Sequence, residues 1–433
     1  MKHLRLFDKA TDFETSKETL EFPWLCFVEE TSKSVCMSTY KPNTSVWYKI
    51  EDNILYIRGT EQEGYSERVL YTDATLAKNG WYNAPNKAEI TKSVIEEVIS
   101  PTSCVRFFDG MSGMATIENI ENLKTDNATS MFTMFQGCSV LVSIGDISNW
   151  NVSNVTDMTG MFNTDYALTS IGDLSNWNVG MVTNMRQMFN KCYALTSIGD
   201  LNNWNVGNVT NMMWMFSECN SLTSVGDISN WNVSKVTSMR AMFNDCHALI
   251  SVGDLSKWDV GNVTDMRSMF NADGPNPLIL TSIGDISGWN VANVTDMSYM
   301  FRGCTSLDEL NLSSWNTSKV TTMYEAFSNF NAWNKYTDFS IPKINVPPIP
   351  KNCNVDHAFS FDYSLTTIES SGKISKSLNF QWSPLTHDSA MVLINALDSE
   401  NTGTLTLSTA TKETLSEEEI AIATDKGWTI ASA

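Results

Sequence analysis

The chain has 433 residues, 42% hydrophobic and only 18% charged, enough apolar matter for a large core and too much for general disorder. Asp and Glu number 49 against 29 Lys and Arg, a formal charge of −20. A field of that sign repels nucleic acid and anionic membrane surfaces, so neither is expected as the main partner. No apolar run approaches the roughly 18 residues of a membrane span, and no apolar stretch follows the basic first residues, so neither membrane insertion nor a signal peptide is expected.

In chain order, Thr11-Asp-Phe-Glu14 reads as a capping box opening a short helix to about Leu20. Phe22 to Glu29 and Ser34 to Ser38 alternate as one hairpin, and Ser45 to Ile50 with Asn53 to Arg58 as a second around Glu51-Asp52. Residues 1–80 therefore read as a small α+β module, and residues 81–104 as a linker or N-terminal cap.

From about Val105 a repeat dominates. Trp150, Trp177, Trp204, Trp231 and Trp258 are 27 residues apart, and Phe108 to Phe270 keep the same step. From Phe189, apolar residues fall at Cys192, Leu195, Ile198, Leu201, Trp204, Val206, Val209, Met212 and Met215. Steps of three broken by one of two fit neither a helix nor a plain strand, but they fit a coil of short segments turned toward one axis. Leu307-Asp-Glu-Leu310-Asn-Leu312 is an unmodified LxxLxL strand motif, and the other units insert a Gly, as in Leu195 to Leu201. The period lies inside the leucine-rich range. The expected fold is a β-rich α+β repeat: a leucine-rich-repeat solenoid of about nine to ten coils over 105–370, with parallel strands at the LTSI segments. Leu195 and Leu222 should then lie on adjacent strands.

Residues 371–433 read as a C-terminal cap. Asp388 to Leu397 is an amphipathic helix, Thr404 to Leu407 a strand, Ser416 to Glu419 a second capping box, Gly427 a helix stop and Trp428 to Ala431 a last strand. An open repeat needs such an atypical end.

The M-x-x-M-F-x-x-C-x-x-L-x-x-I unit with W-N-V-S-N-V-T between units resembles the BspA-like leucine-rich repeat surface proteins, in the version found in mycoplasma lipoproteins and in gut bacteria and their phages. The resemblance covers about Val105 to Ile368. It implies a non-enzymatic binding scaffold, often an adhesin, without identifying the ligand. The first segment, from LRLFDKATDFE to SKSVCM, is similar to short N-terminal segments of virion and tail-associated proteins of Bacteroidota phages.

Most columns of the repeat call for packing rather than chemistry. The Cys column (Cys138, Cys192, Cys219, Cys246, Cys304) is read as small core residues with free thiols, and Asp165 takes the same slot in one unit. The Met and Phe columns are core. The residues after each Trp, from Asn151 to Asn316, should satisfy turn amides. The acidic column Asp146, Asp173, Asp200, Asp227, Asp254 and Asp285 sets carboxylates about 4.8 Å apart, where two charges in water repel by about 0.9 kcal/mol. Turn hydrogen bonds and solvent are the preferred account, with calcium bridging as the alternative; no cofactor and no metal site is otherwise expected. No nucleophile elbow, P-loop or dinucleotide fingerprint occurs, so no catalytic residues are assigned and an enzyme, such as one cleaving carbohydrate, is the least favoured reading.

Recognition is expected where units differ from one another: Arg186, Met213, Trp214, Arg240, Arg267, Tyr299 and Tyr324 between the two Met positions, and Tyr166, Tyr193 and His247 after the Cys slot. The core needs none of these identities, and aromatic residues with Arg favour interfaces. The expected function is a non-enzymatic phage virion component, in a tail or other appendage, that presents the repeat for host attachment or for protein or glycan binding. The alternative is a BspA-like bacterial cell-surface adhesin. Expected partners are other virion proteins through residues 1–80 and a host surface protein or glycan through the repeat, with homo-oligomerisation through exposed edge strands.

Overall fold

The computed structural model describes residues 42–433 apart from 74, 273–275, 329–340 and 361. The expected first helix and first hairpin, and two of the nine cysteines, lie outside the described residues. The second hairpin is present, with its turn one residue later than the expected Glu51-Asp52. Strand β1 (Ser45–Glu51) pairs antiparallel with β2 (Ile54–Arg58). Asp52 and Asn53 both turn left-handed, at φ 51° and 60°, a turn whose twist matches the flanking strands. Strands β3 (Ser66–Val69), β4 (Lys92–Ile95) and β5 (Thr116–Glu118) complete a five-stranded sheet in the order β3-β1-β2-β4-β5. Its last two strands come from the stretch expected to be linker and first coil.

This sheet closes one end of the repeat. Arg68 is 1% exposed, and its guanidinium donates to Phe107 O (3.2 Å), Val105 O (3.2 Å) and Arg106 O (3.1 Å). It lies 4.1 Å above the Trp81 ring, whose Nε1 donates to Phe107 O at 2.6 Å. Burial lowers the Arg68 pKa to about 9, so the group stays charged at neutral pH. Within the repeat, carbonyls of one unit accept amides of the preceding unit. The first unit has no such predecessor, and Arg68 and Trp81 supply the donors instead.

Behind it the 27-residue units stack in register. Amides of Phe135, Phe162, Phe189, Phe216 and Phe243 donate to the carbonyls of Met161, Met188, Met215, Met242 and Met269, one unit on. The Phe rings stack from Phe108 to Phe327 at 5.3 to 6.1 Å between centroids. The Trp side chains stack at 6.3 to 6.5 Å. Each Trp indole from Trp177 to Trp315 donates to a carbonyl of the preceding unit, as Trp204 Nε1 does to Leu174 O at 2.9 Å. Every buried polar group in these columns thereby gains a partner.

The expected leucine-rich-repeat solenoid is not what these residues build. The structure is mostly sheet with few helices; its strands fall into three small sheets, none of which forms a solenoid. Leu195 and Leu222 are fully buried, but neither lies on a strand. The units meet through turns and single-residue bridges, such as Asp157↔Asn184, Asn184↔Asn211 and Ser224↔Ser251. The cause is the inserted glycine. Gly145, Gly172, Gly199, Gly226, Gly253 and Gly284 all sit at φ between 78° and 93°, which breaks extended backbone after two residues. The unit without that glycine, around Leu310, does form a strand: β6 (Glu309–Asn311) pairs parallel with β7 (Lys343–Asn345).

The C-terminal elements fall close to their expected places. After β8 (Leu378–Phe380) come α1 (His387–Ala396), β9 (Gly403–Leu407), α2 (Thr409–Lys412), α3 (Glu417–Asp425) and β10 (Trp428–Ser432). Ser416 and Glu419 form the capping box of α3, and the three strands make a parallel sheet in the order β10-β9-β8. Phe380 stacks on Phe359 at 4.6 Å, which continues the Phe column into this sheet.

Candidate recognition surface

The pair of residues between the two Met positions owes its place to the backbone alone. The residue before the first Met is Asp157, Asn184, Asn211, Ser238, Asp265 or Asp296, and its side chain accepts the amide two residues on, as Asn184 Oδ1 accepts Arg186 N at 3.1 Å. The first residue of the pair gives its carbonyl to the preceding unit: Gly160 N donates to Arg186 O, Gln187 N to Met213 O, Trp214 N to Arg240 O and Ala241 N to Arg267 O. The second residue turns left-handed, as at Trp214 (φ 57°), Ser268 (φ 57°) and Tyr299 (φ 60°). All main-chain groups here are satisfied, so the side chains project from a fixed frame without serving it.

On this frame expected recognition residues form two clusters, each of two Arg over one ring. The guanidinium carbons of Arg186 and Arg240 each lie 5.4 Å from the Trp214 ring centre. Those of Arg267 and Arg302 each lie 5.5 Å from Tyr299. Tyr324 meets Tyr299 edge-on at 5.3 Å and His357 at 6.0 Å. Cations over aromatic faces attract at about 0.5–1 kcal/mol each when exposed, enough to hold long Arg side chains in place. Met213 stands in the same column between Arg186 and Arg240. These side chains are half-buried except His357, which is exposed, and Arg302, which is buried and pairs with Glu325 at 3.1 Å.

Arg302, His357 and, at the other end, Arg106 over Tyr82 (5.2 Å) and Phe132 (5.5 Å) were not among the expected residues. Arg302 follows a Phe, where other units carry Asn163, Asn190, Asn244 and Asn271. Asn190 donates to Asn163 Oδ1 at 2.8 Å and Asn271 to Asn244 Oδ1 at 2.7 Å, so an Arg in that column was the available signal.

Tyr166, Tyr193 and His247 are not part of these clusters. Tyr166 and Tyr193 stack at 5.0 Å, and Tyr193 OH donates to Glu218 Oε2 at 3.1 Å. Burial first, then Glu218, pushes the Tyr193 pKa up to about 12. His247 Nε2 lies 3.9 Å from Asp245 Oδ1.

The remaining polar columns serve the backbone. Asp146, Asp173, Asp200, Asp227, Asp254 and Asp285 accept the amide two residues ahead at 2.9 to 3.0 Å. Those amides hold the Asp146 and Asp254 carboxyls below their ordinary range. Asn151, Asn178, Asn205 and Asn232 do the same after each Trp. The thiols of Cys138, Cys192, Cys219, Cys246 and Cys304 are free, buried and donate to Phe carbonyls at 3.0 to 3.2 Å. Among the described residues, no three His, Cys, Asp or Glu side chains gather as a metal site would require. No helix of the described residues is long and apolar enough to cross a membrane.

The model of a family described as "Mycoplasma protein of unknown function, DUF285" matches the chain in tandem, at residues 102–224, 192–275 and 254–346, together more than half of its length. No curated protein and no solved structure matches.

Proposed function

The chain belongs to the DUF285 family, and from that premise we propose that it is a non-enzymatic binding scaffold whose stacked units present the Arg–aromatic column to a host-surface protein or glycan. The observation that carries this reading is the pair of Arg–aromatic clusters. Six side chains from five units, all but the buried Arg302 unneeded by the core, gather as two Arg–aromatic clusters. Half-buried aromatic and Arg anchors held by their neighbours lose little entropy when a partner binds. Neither a metal nor a cofactor is part of this role.

Two locations suit it. The N-terminal resemblance to phage virion segments supports attachment of the chain to a particle, with residues 1–80 binding other virion proteins or a second copy. The family's mycoplasma membership supports a BspA-like protein on a cell surface. Immunogold labelling of cells and of purified particles separates the two. The scaffold role itself is tested by cell attachment of the labelled full-length protein. Trp214→Ala together with Arg186→Gln and Arg240→Gln should reduce attachment at least tenfold with the melting temperature unchanged. Attachment indifferent to these changes would refute the role.

A further inference from the structure

We infer that the Arg–aromatic column binds an acidic glycan, a step that rests on the recognition role proposed above and names its ligand class. The chain carries 49 acidic against 29 basic side chains, so a guanidinium left without a carboxylate is out of the ordinary. Among the described residues, Arg186, Arg240 and Arg267 have no ion pair, while Arg58, Arg106 and Arg302 are paired with carboxylates. The acidic groups nearest the column are otherwise engaged. Glu325 pairs with Arg302 and Glu218 with Lys191 at 3.5 Å; Asp265 Oδ1 accepts Arg267 N at 3.0 Å, and its half-buried carboxylate feels the charges of Arg240 and Arg267 without forming an ion pair with either. Three planar cations are therefore held over rings without an ion pair, and apart from the buried Nε of Arg186 their donors are free for carboxylate or sulfate groups.

The column ends in a built groove. Tyr324 and His357 continue it into an open hollow of about 390 Å³ lined also by Ser360, Lys376, Asn379 and Thr404, with Asp356 on its wall. Lys376 has no ion pair among the described residues either. Hydroxyl, amide and carboxylate groups of this kind suit sugar hydroxyls, and Lys376 adds an unpaired cation to the hollow.

Charge spacing and backbone bonding separate a glycan from other polyanions. Duplex nucleic acid carries a charge about every 1.7 Å. Here one cation is offered per unit or per two units, and the units lie 5.5 to 5.8 Å apart at Phe189 to Phe301. An acidic peptide would dock best by adding to a strand edge. The main-chain groups of this face are already taken by the neighbouring units, so recognition runs through side chains alone. At physiological salt the screening length is about 8 Å, so distant carboxylates do not cancel the local field.

The test is calorimetric titration of the full-length protein with polygalacturonate, dextran sulfate, neutral dextran, poly-L-glutamate and a DNA duplex. Binding of polygalacturonate or dextran sulfate but not dextran is expected, and the stronger of the two tells carboxylate from sulfate recognition. The Arg186→Gln, Arg240→Gln, Arg267→Gln triple variant should bind at least tenfold more weakly, and the exposed Lys376→Gln severalfold, each with an unchanged melting temperature. Should the triple variant melt early, Lys376→Gln and the loss of wild-type affinity with added salt decide the matter. No binding of either acidic polysaccharide, undiminished binding by the variants, or tighter binding of poly-L-glutamate or DNA would overturn the ligand class. If cell attachment depends on the column yet excess acidic polysaccharide fails to compete, the scaffold role stands and the glycan assignment falls.

Discussion

Asp165 should make this protein less stable as pH rises. In five other units the same slot holds a thiol that donates to a Phe carbonyl of the preceding unit. Asp165 is 0% exposed; Oδ1 accepts Cys138 N at 2.8 Å, and Oδ2 is buried with no partner. Burial raises its pKa well above the carboxylate range, and the field of Asp109 adds to that rise. The folded state therefore keeps a proton that the unfolded chain releases near pH 3.9. Above that value the unfolded state binds fewer protons, and stability falls by about 1.4 kcal/mol per pH unit until the folded pKa is reached. Asp362 occupies the equivalent slot after Phe359, 2% exposed and with Oδ2 also unpartnered, so it contributes a second slope of the same sign.

Asp165→Asn keeps an oxygen for Cys138 N and removes the titration. Urea denaturation of wild type and variant, followed by Trp fluorescence from about pH 4.5 to 6.5, should give a variant whose advantage grows by about 1.4 kcal/mol per pH unit and nearly vanishes at the acid end. Hydrogen exchange of the Cys138 and Cys192 amides should report the same trend locally. A difference that does not change with pH would refute the reasoning, because it would mean Asp165 has the same charge in both states.

Four further outcomes follow from the packing. Gly199→Ala, at φ 83° and with a Cβ that would overlap Asp173 Oδ1, should lose more than the roughly 1–3 kcal/mol of left-handed strain, read by thermal melting. Arg68→Met should cost about 2–3 kcal/mol by stripping donors from the carbonyls of Val105 and Arg106, and the loss should show first as faster exchange at the N-terminal end of the stack. Asp173→Asn, Asp200→Asn and Asp227→Asn combined should leave the melting temperature unchanged or slightly raised, since an amide oxygen can take the same turn hydrogen bond; calcium-dependent melting of the wild type would contradict this. In the folded protein the seven described thiols should resist a thiol reagent and react only after denaturation, because burial pushes those of the Cys column up and out of the reactive range.

The core columns were legible because the period repeats the same inward positions, and a position that is apolar in eight units has few places to go but inside. The second hairpin, apart from a turn placed one residue early at Glu51-Asp52, and the capping box at Ser416 were legible because both are local, closed within four residues. The strands were misread for a reason equally local: LxxL motifs look extended, but the glycine two residues after each Ser or Thr sits left-handed and ends the ladder at a single bridge. The closing role of Arg68 was illegible, since it joins residues 37 to 39 apart through orphan carbonyls that no side-chain pattern marks. The recognition column was half legible. Variation between units exposed Arg186, Trp214, Arg240, Arg267 and Tyr299, but only the structure showed that each ring has two Arg side chains over it.

That split between fixed and free positions has one structural origin. Each unit is tied to the next by backbone bonds and by short side chains, Thr, Asn, Asp or Ser, whose job is to satisfy amides. The Phe, Trp, Met and Cys columns fill the interior and leave no room for exchange. The two residues between the Met positions contribute only main-chain groups to this scheme, and the second of them is left-handed whether it is Gly, Gln, Trp, Ala, Ser, Tyr or Glu. A left-handed non-glycine residue costs of order 1 kcal/mol or more, and the neighbouring units impose it regardless of side chain. Substitution there thus changes the surface at nearly constant cost to the fold. Adding a unit extends the surface by one more pair, which is how a stack of identical interiors acquires a face that differs along its length.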